Sequence, residues 1–244
     1  MGKTINKKER EAEVLELIIS SYIRESKPIS SSYLCSEYDL NYSSATVRNI
    51  MHNLEEKGLI SHIHTSSGRV PTKEGFKYYV ATLNPERFGT FYNVDLDFSP
   101  LCNLHEVVEY SLDALSEASG YTSLLGINAK DSRFSFRGTR CILNQPEFED
   151  IKVLRNIFCA LEVKIDKLQK ILFNFMTEKV RVLIGNDINF SEISECSLVL
   201  SGFKDEDVSL VLALLGPVRM NYLKAASCLY SVKNQLKDSL NDFI

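Results

Sequence analysis

The sequence of 244 residues lacks the features that mark a secreted or membrane protein. Its opening stretch, MGKTINKKEREAEV, is too polar for a signal peptide, and apolar runs such as LVLALLG are far too short to span a bilayer. The six cysteines are scattered, without a C-x-x-C pair, so neither a disulfide framework nor a zinc site is expected. We therefore expect a cytoplasmic protein with no membrane partner, in which the cysteines are buried thiols.

Sequence motifs of common enzymes are also missing. No G-x-G-x-x-G, Walker, H-E-x-x-H or G-x-S-x-G pattern occurs. His62 and His64 could share one face of a strand and bind a metal, but no third ligand lies near them in the sequence. Arg219, in GPVRM, could hold an anion at a helix N-terminus; a structural ion pair with an acidic residue is the better interpretation. We expect no catalytic activity, no metal and no cofactor.

The charge is distributed unevenly along a chain of ordinary globular composition, with 44% hydrophobic and 25% charged residues. Residues 1–84 hold 11 basic and 10 acidic residues together with three of the four histidines, whereas residues 85–244 hold 17 basic and 22 acidic residues. The length allows one large or two smaller domains. The less acidic N-terminal part is the better place for nucleic-acid binding, although a net charge of +1 is not a basic patch.

Three helices are predicted at the N-terminus. Apolar residues at helical spacing predict the first over residues 7–25, and Pro28 disfavours its continuation. Ser30 or Ser31 can cap a short second helix, and Ser43 is a good N-cap for a third.

The third predicted helix has two contrasting faces. Its apolar stripe at helical spacing consists of Val47, Ile50, Met51 and Leu54. The opposite face carries short hydrogen-bonding groups around one arginine, namely Ser44, Arg48, Asn49 and His52. Such a face suits base edges in a major groove, where arginine reads guanine and asparagine reads adenine. A plain solvated face is an equally good interpretation from composition alone.

A hairpin is predicted directly after this helix. Gly58 can end the helix in the left-handed conformation. The run LISHI alternates like a strand, and HTSSGR is predicted as a turn. VP can then return as a second strand before another helix begins. Three helices followed by a hairpin make the winged helix-turn-helix plan, in which the helix reads the groove and the hairpin, or wing, reaches the flanking backbone. Arg69 is expected at the tip of the wing.

The predicted DNA-binding residues come from two segments. The start and outer face of the third helix contribute Ser43, Ser44, Thr46, Arg48, Asn49 and His52. The wing and the start of the next helix contribute His64, Thr65, Ser66, Gly68, Arg69 and Lys73. We expect Arg48 to reach a base edge, and Arg69, Lys73 and His64 to meet phosphates.

The rest of the chain predicts a small α+β domain. A helix over residues 104–119 precedes an apolar strand, YTSLLGIN, and a polar stretch then leads to a long helix from Pro146 to about Met176. Three strand-like runs follow, KVRVLIG, CSLVLSGF and VSLVLALLG, and a closing helix runs from Met220 to about residue 240. A sheet of about four strands is expected.

The run SSATVRNIMHNLEEKGLISHIHTSSGRVPTKEGFKYYV resembles the N-terminal domain of the heat-inducible transcription repressor (HrcA) family. LNQPEFEDIKVLRNIFCALEVK, VRVLIGNDI, CSLVLSGF and LLGPVRMNYLKAASCLYSVKNQL resemble its C-terminal GAF-like domain, in the same order. In the family, a long segment with further GAF strands and an inserted dimerisation domain separates the counterparts of SGYTSLL and RGTRCILNQPEF. Here only residues 128–139 join them, so the chain is identified as a shortened member.

The resemblance implies an α+β protein with a winged helix-turn-helix domain over residues 1–84, a linker over 85–103 and a reduced GAF-like domain over 104–244. It implies a repressor of heat-shock (chaperone) genes that binds an inverted-repeat operator in double-stranded DNA as a homodimer, is released on heat stress and is modulated by the chaperonin. The dimer interface is expected on the helix over 149–175 or on that over 220–240. The alternative is a ligand-sensing regulator whose GAF-like domain binds a small molecule, which a cavity with convergent polar groups would favour.

Overall fold

The computed structural model describes residues 7–63, 68–84, 91–129, 132–205 and 208–239. The chain divides into two compact units, Met1–Leu83 and Asn84–Ile244. Both units contain helices and an antiparallel sheet, so the protein has the predicted α+β class.

The N-terminal unit places three helices before a two-stranded ribbon and a fourth helix. Its elements are α1 (Lys7–Glu25), α2 (Ser31–Glu37), α3 (Ser44–Glu56), β1 (Ile60–His62), β2 (Arg69–Pro71) and α4 (Lys73–Thr82). Helix α3 packs against α1 and α2. Its predicted apolar stripe is buried, as expected: Val47, Ile50, Met51 and Leu54.

Local capping chemistry sets the helix boundaries in this unit. The side chains of Ser30, Ser43 and Thr72 each accept a hydrogen bond from a backbone N–H three residues later. Of the two serines proposed as the cap of α2, Ser30 is therefore the one used. Gly58 follows α3 with a φ of +70°, the left-handed conformation predicted for it.

The C-terminal unit alternates helices with strands. Its elements are α5 (Leu104–Ser119), β3 (Thr122–Asn128), β4 (Arg133–Arg137), α6 (Arg140–Leu143), α7 (Ile151–Phe158), α8 (Ile165–Phe175), β5 (Arg181–Ile184), β6 (Cys196–Lys204), β7 (Ser209–Pro217) and α9 (Tyr222–Ser239). The five strands form one antiparallel sheet in the order β4-β3-β7-β6-β5.

Alternate residues of the strands face different helices. On β3, the Ser123 hydroxyl donates to the carbonyl of Leu112 on α5, whereas Gly126 lies against Phe173 on α8. On β6, Ser197 hydrogen-bonds to Tyr222 on α9. The sheet therefore has α5 and α9 on one face and α8 on the other.

Two predictions for this unit were wrong. The polar stretch over 128–139 contains strand β4, so the sheet has five strands instead of about four. The alternation Arg-Phe-Ser-Phe-Arg is a period of two, which indicates a strand at the sheet edge. The expected long helix is interrupted: a 3₁₀ turn at Pro146–Phe148 precedes α7, and a π-helical turn at Cys159–Val163 separates α7 from α8. In that turn, the Lys164 N–H donates to the carbonyl of Cys159, five residues back.

The described part of the expected linker belongs to the C-terminal unit. The backbone N–H of Val94 donates to the Ser231 hydroxyl at 3.1 Å, and that of Leu96 donates to Oε1 of Gln235 at 2.9 Å. Residues 91–98 thus run along α9 and cover one side of it.

All six cysteines are thiols and not disulfides. Cys196 and Cys228 are buried as expected, but Cys102 is exposed. In the part of the chain that the structure describes, no helix is long and apolar enough to cross a membrane.

Candidate nucleic-acid interface

The outer face of α3 is exposed where the sequence predicted it. Arg48, Asn49 and His52 all point to solvent. Within the described ranges, the side chains of Arg48 and Asn49 have no hydrogen-bond or ion-pair partner, and His52 lies 3.5 Å from Glu56 in an exposed pair. Such a pair contributes little in water. The donors and acceptors of this face are therefore available to an external partner.

The three small polar residues at the start of α3 are used within the protein. The Ser43 hydroxyl accepts from the Thr46 N–H at 3.2 Å and lies 3.0 Å from the Thr46 hydroxyl. The Ser44 hydroxyl lies 3.2 Å from that of Ser31 on α2. These contacts fix the N-terminus of α3, and with it the direction of the exposed face.

Arg69 does not lie at the tip of the hairpin, so that expectation was wrong. It is the first residue of β2 and stands opposite His62 on β1. Its Nε and Nη2 atoms both lie 3.0 Å from Oε2 of Glu55 on α3. The sequence alone does not show that this guanidinium turns back towards the helix.

Glu55 belongs to this surface although no sequence motif predicted it. Its carboxylate bonds to Nδ1 of His62 as well as to Arg69. The hydrogen bond from His62 and the positive charge of Arg69 hold the pKa of Glu55 below its usual range. The sequence alone does not predict this role for an acidic residue at a helix end, because the partners of Glu55 come from the hairpin.

The remaining predicted wing residues divide into two groups. Gly68 lies so close to Ile29 that an added Cβ would stand 2.6 Å from the Ile29 carbonyl carbon, and Lys73 is the half-buried first residue of α4. His64, Thr65 and Ser66 lie outside the described residues.

Of the histidine pair His62 and His64, only His62 lies within the described residues. His62 is engaged with Glu55, and no group of three or more His, Cys, Asp or Glu side chains in the described ranges could hold a metal ion. In the C-terminal unit, Arg219 forms an ion pair with Glu147, which confirms the structural role expected for it.

One face of the C-terminal sheet is filled by a helix and the residues after it. A Cβ on Gly126 would stand 3.1 Å from the Phe173 ring, and one on Gly202 would stand 2.7 Å from Cγ of Met176. Buried leucines from α8 and the strands close the same layer, including Leu168, Leu172, Leu198 and Leu200. At these positions the sheet is covered by direct contact.

The fold and this surface define a two-unit α+β protein whose first unit presents an exposed hydrogen-bonding helix beside a two-stranded ribbon. The family model described as the HrcA protein C terminal domain matches residues 102–225. The chain belongs to the HrcA family.

Curated relatives carry the same family name. Heat-inducible transcription repressor HrcA of Bacillus pumilus is 25% identical, over 96% of this chain and 98% of the relative. That of Clostridium perfringens is 26% identical over 96% and 99%. The protein of the same name from Prosthecochloris aestuarii is 50% identical over 78 residues, which is 32% of this chain and 22% of the relative.

The similarity extends to a solved structure and shows the length difference. A crystal structure described as that of a hypothetical protein at 2.2 Å resolution has the same fold, with a TM-score of 0.81, 18% identity and coverage of 96% of this chain and 98% of that one. The alignment with the Bacillus pumilus relative runs over 337 positions, whereas this chain has 244 residues. The relative therefore contains residues that have no counterpart here, as expected for a shortened member.

Proposed function

We propose that this chain represses transcription of heat-shock genes by binding double-stranded DNA through an N-terminal winged helix-turn-helix domain over residues 1–84. The observation that carries the proposal is the outer face of α3, where Arg48 and Asn49 are exposed and have no partner within the described residues. Membership in the HrcA family supports the same function, because the curated relatives are heat-inducible transcription repressors.

The helix α3 is suited to a major groove. One side is buried against α1 and α2, so the helix projects its polar side as a rigid ridge. Arg48 can donate two hydrogen bonds to a guanine, and Asn49 or His52 can bond a neighbouring base. Ser43, Ser44 and Thr46 stand at the N-terminus of the helix, where backbone N–H groups favour phosphate oxygens, and the internal bonds of their hydroxyls hold that terminus in place.

The hairpin is proposed to act as the wing on the flanking DNA backbone. The proposed phosphate contacts are His64, Thr65 and Ser66, which lie between the two strands in the sequence, and Lys73 at the start of α4. Gly68 and Arg69 contribute differently from the expectation, since their contacts with Ile29 and Glu55 support the loop side of the two strands.

A homodimer on an inverted-repeat operator is the proposed assembly, with the C-terminal unit as the reduced GAF-like domain that holds the two copies together. Of the two helical segments considered, that over 149–175 is better suited to an interface. It exposes apolar side chains at Ile151, 65% exposed, and Val163, 76% exposed. Most of α9 is buried within its own unit. Release on heat stress and modulation by the chaperonin complete the proposal, as the family resemblance implies.

The packing of the C-terminal sheet supports repression over the ligand-sensing alternative. A sensor needs a cavity with convergent polar groups. Gly126 and Gly202 instead meet Phe173 and Met176 in direct contact on the face that α8 covers.

A DNA-binding measurement with the full chain tests the proposal. An operator duplex would be selected by the protein from a random-sequence library, and its affinity compared with that of a scrambled duplex of the same composition. We expect an inverted repeat to be selected and bound at least about a thousandfold more tightly than the scrambled duplex at physiological salt. Added chaperonin should raise the bound fraction, and heating should lower it. Equal affinity for both duplexes would refute the proposed function.

A further inference from the structure

Glu55 joins three elements of the N-terminal unit. Its carboxylate, near the end of α3, bonds to His62 on β1 and to Arg69 on β2. The Glu55 side chain is only 21% exposed and that of Arg69 only 26% exposed, so water screens the pair incompletely. One carboxylate therefore connects both wing strands to the helix that carries Arg48.

The backbone of Arg69 is held on its other side as well. Its N–H donates to the carbonyl of Ile29 at 2.7 Å, and its carbonyl accepts from the Ile29 N–H at 2.9 Å. This pair attaches the ribbon to Ile29, just before α2. The end of the ribbon away from its loop is held as well, because the Thr72 N–H donates to the Leu59 carbonyl and the Thr72 hydroxyl donates to the Gly58 carbonyl. Glu55 adds the side-chain contact that ties the loop side of the ribbon, at His62 and Arg69, to α3.

We propose that Glu55 is a positioning residue for DNA recognition, which sets the angle between the wing and α3 so that both reach one duplex at once. This inference rests on the proposed function. It explains why a carboxylate is found beside a surface proposed to meet phosphates, because the Arg69 guanidinium compensates its charge. It also assigns the Arg69 guanidinium to Glu55 and not to a phosphate.

A double-mutant cycle on the full chain tests the inference. Glu55→Gln, Arg69→Gln and the double variant would be measured on the operator duplex selected by the unaltered protein and on its scrambled counterpart. Glu55→Gln removes a negative charge near DNA, which by electrostatics alone would strengthen binding to both duplexes. We expect instead that the ratio of operator affinity to scrambled affinity falls about tenfold. Arg69→Gln should cause the same loss, and the double variant should lose no more than either single one.

Glu56→Gln is the matched control, because it removes a carboxylate from the neighbouring position of α3. Its affinity ratio should remain that of the unaltered protein. Arg69→Lys is a second variant that keeps the charge but not the planar guanidinium, and it remains informative if a glutamine variant fails to fold by circular dichroism. It should lower the ratio while leaving the salt dependence of binding unchanged.

Two outcomes would overturn the inference. The first is an unchanged affinity ratio in Glu55→Gln. The second is a salt slope lowered by about one in Arg69→Gln, with Glu55→Gln unaffected, since Arg69 would then contact a phosphate directly. A third result differs from these two outcomes. If the unaltered protein shows no preference for any duplex, the proposed function itself fails.

Discussion

Gly68 lies directly against the backbone of Ile29. An added Cβ would stand 2.6 Å from the carbonyl carbon and the oxygen of Ile29, and 2.8 Å from the carbonyl carbon of Pro28. These are backbone atoms held by the pairing of Ile29 with Arg69, so they cannot move aside as a flexible side chain can. The glycine therefore fixes how closely the wing approaches the loop before α2.

Gly68→Ala should displace the loop side of strand β2 from Ile29. We expect a loss of about 1–3 kcal/mol in the free energy of unfolding, the usual result of overpacking a close contact. Operator affinity should fall with it. The measurement is a urea titration of the full chain, in which the NMR resonances of the Ile29 and Arg69 amides report unfolding.

Gly58→Asn is the control for Gly68→Ala. Gly58 has a left-handed backbone and open space around its Cα, and asparagine tolerates that conformation. This variant should stay close to the unaltered protein in both measurements. If Gly68→Ala has the same unfolding free energy and operator affinity as Gly58→Asn, the close contact has no energetic importance.

Arg48→Ala should separate base reading from general attraction to DNA. Arg48 is exposed at mid-face of α3, so its loss should cost roughly 1–3 kcal/mol on the operator and much less on scrambled DNA. Fluorescence anisotropy at fixed salt measures both affinities. Arg140→Ala removes an equally exposed arginine from the C-terminal unit and should change neither affinity. Equal losses on both duplexes would mean that Arg48 contacts phosphate.

The stabilising effect of Glu55 should disappear in acid. His62 and Arg69 lower the pKa of Glu55 in the folded protein, so the carboxylate stabilises the fold above the unfolded pKa of about 4.3. That contribution is lost as the pH falls through the lowered pKa, because the unfolded chain then binds the proton more readily. The difference in unfolding free energy between the unaltered protein and Glu55→Gln should therefore be largest near pH 7 and shrink below pH 4.

Urea titrations read from the Arg69 amide measure this difference at each pH. Glu56→Gln controls for the loss of one carboxylate at the same end of α3. A difference that grows as the pH falls would contradict the predicted sign.

Tyr222→Phe should weaken the C-terminal unit. The buried hydroxyl of Tyr222 lies 2.8 Å from that of Ser197 and donates to the Val218 carbonyl at 2.6 Å, and burial raises its pKa. Without it, the buried Ser197 hydroxyl and the part-buried Val218 carbonyl lose a partner, which costs about 1–3 kcal/mol. Urea unfolding by circular dichroism measures the change. Tyr230→Phe, an exposed position on the same helix, should leave the midpoint unchanged, and equal midpoints for both variants would contradict this account.

Acidic substitutions should locate the dimer interface. Ile151→Glu and Val163→Glu place a charge on two strongly exposed apolar positions of the segment proposed as the interface. Each should shift the full chain from dimer towards monomer in sedimentation equilibrium. Tyr230→Glu tests the other candidate helix and should leave the dimer intact. The reverse pattern would move the proposed interface to α9.

The sequence by itself determined the helices of the N-terminal unit and their boundaries. Ser43 and Gly58 act through hydrogen bonds and backbone preferences within a few residues, so their roles can be read from the sequence. The buried stripe of α3 follows from its periodicity, and the exposed face is its complement. In the C-terminal unit, the strong apolar runs predicted four of the five strands for the same reason.

Only the tertiary structure decided what depends on partners distant in the sequence. Glu55 and Arg69 are 14 residues apart and meet because the ribbon folds back on α3. That contact makes Arg69, predicted as a phosphate contact at the wing tip, a support at the loop side of the two strands. Strand β4 carries a period of two within a polar stretch, but no local preference sets its pairing with β3 or the register of that pairing. Charge and pairing act through space, and the chain order alone does not give those distances.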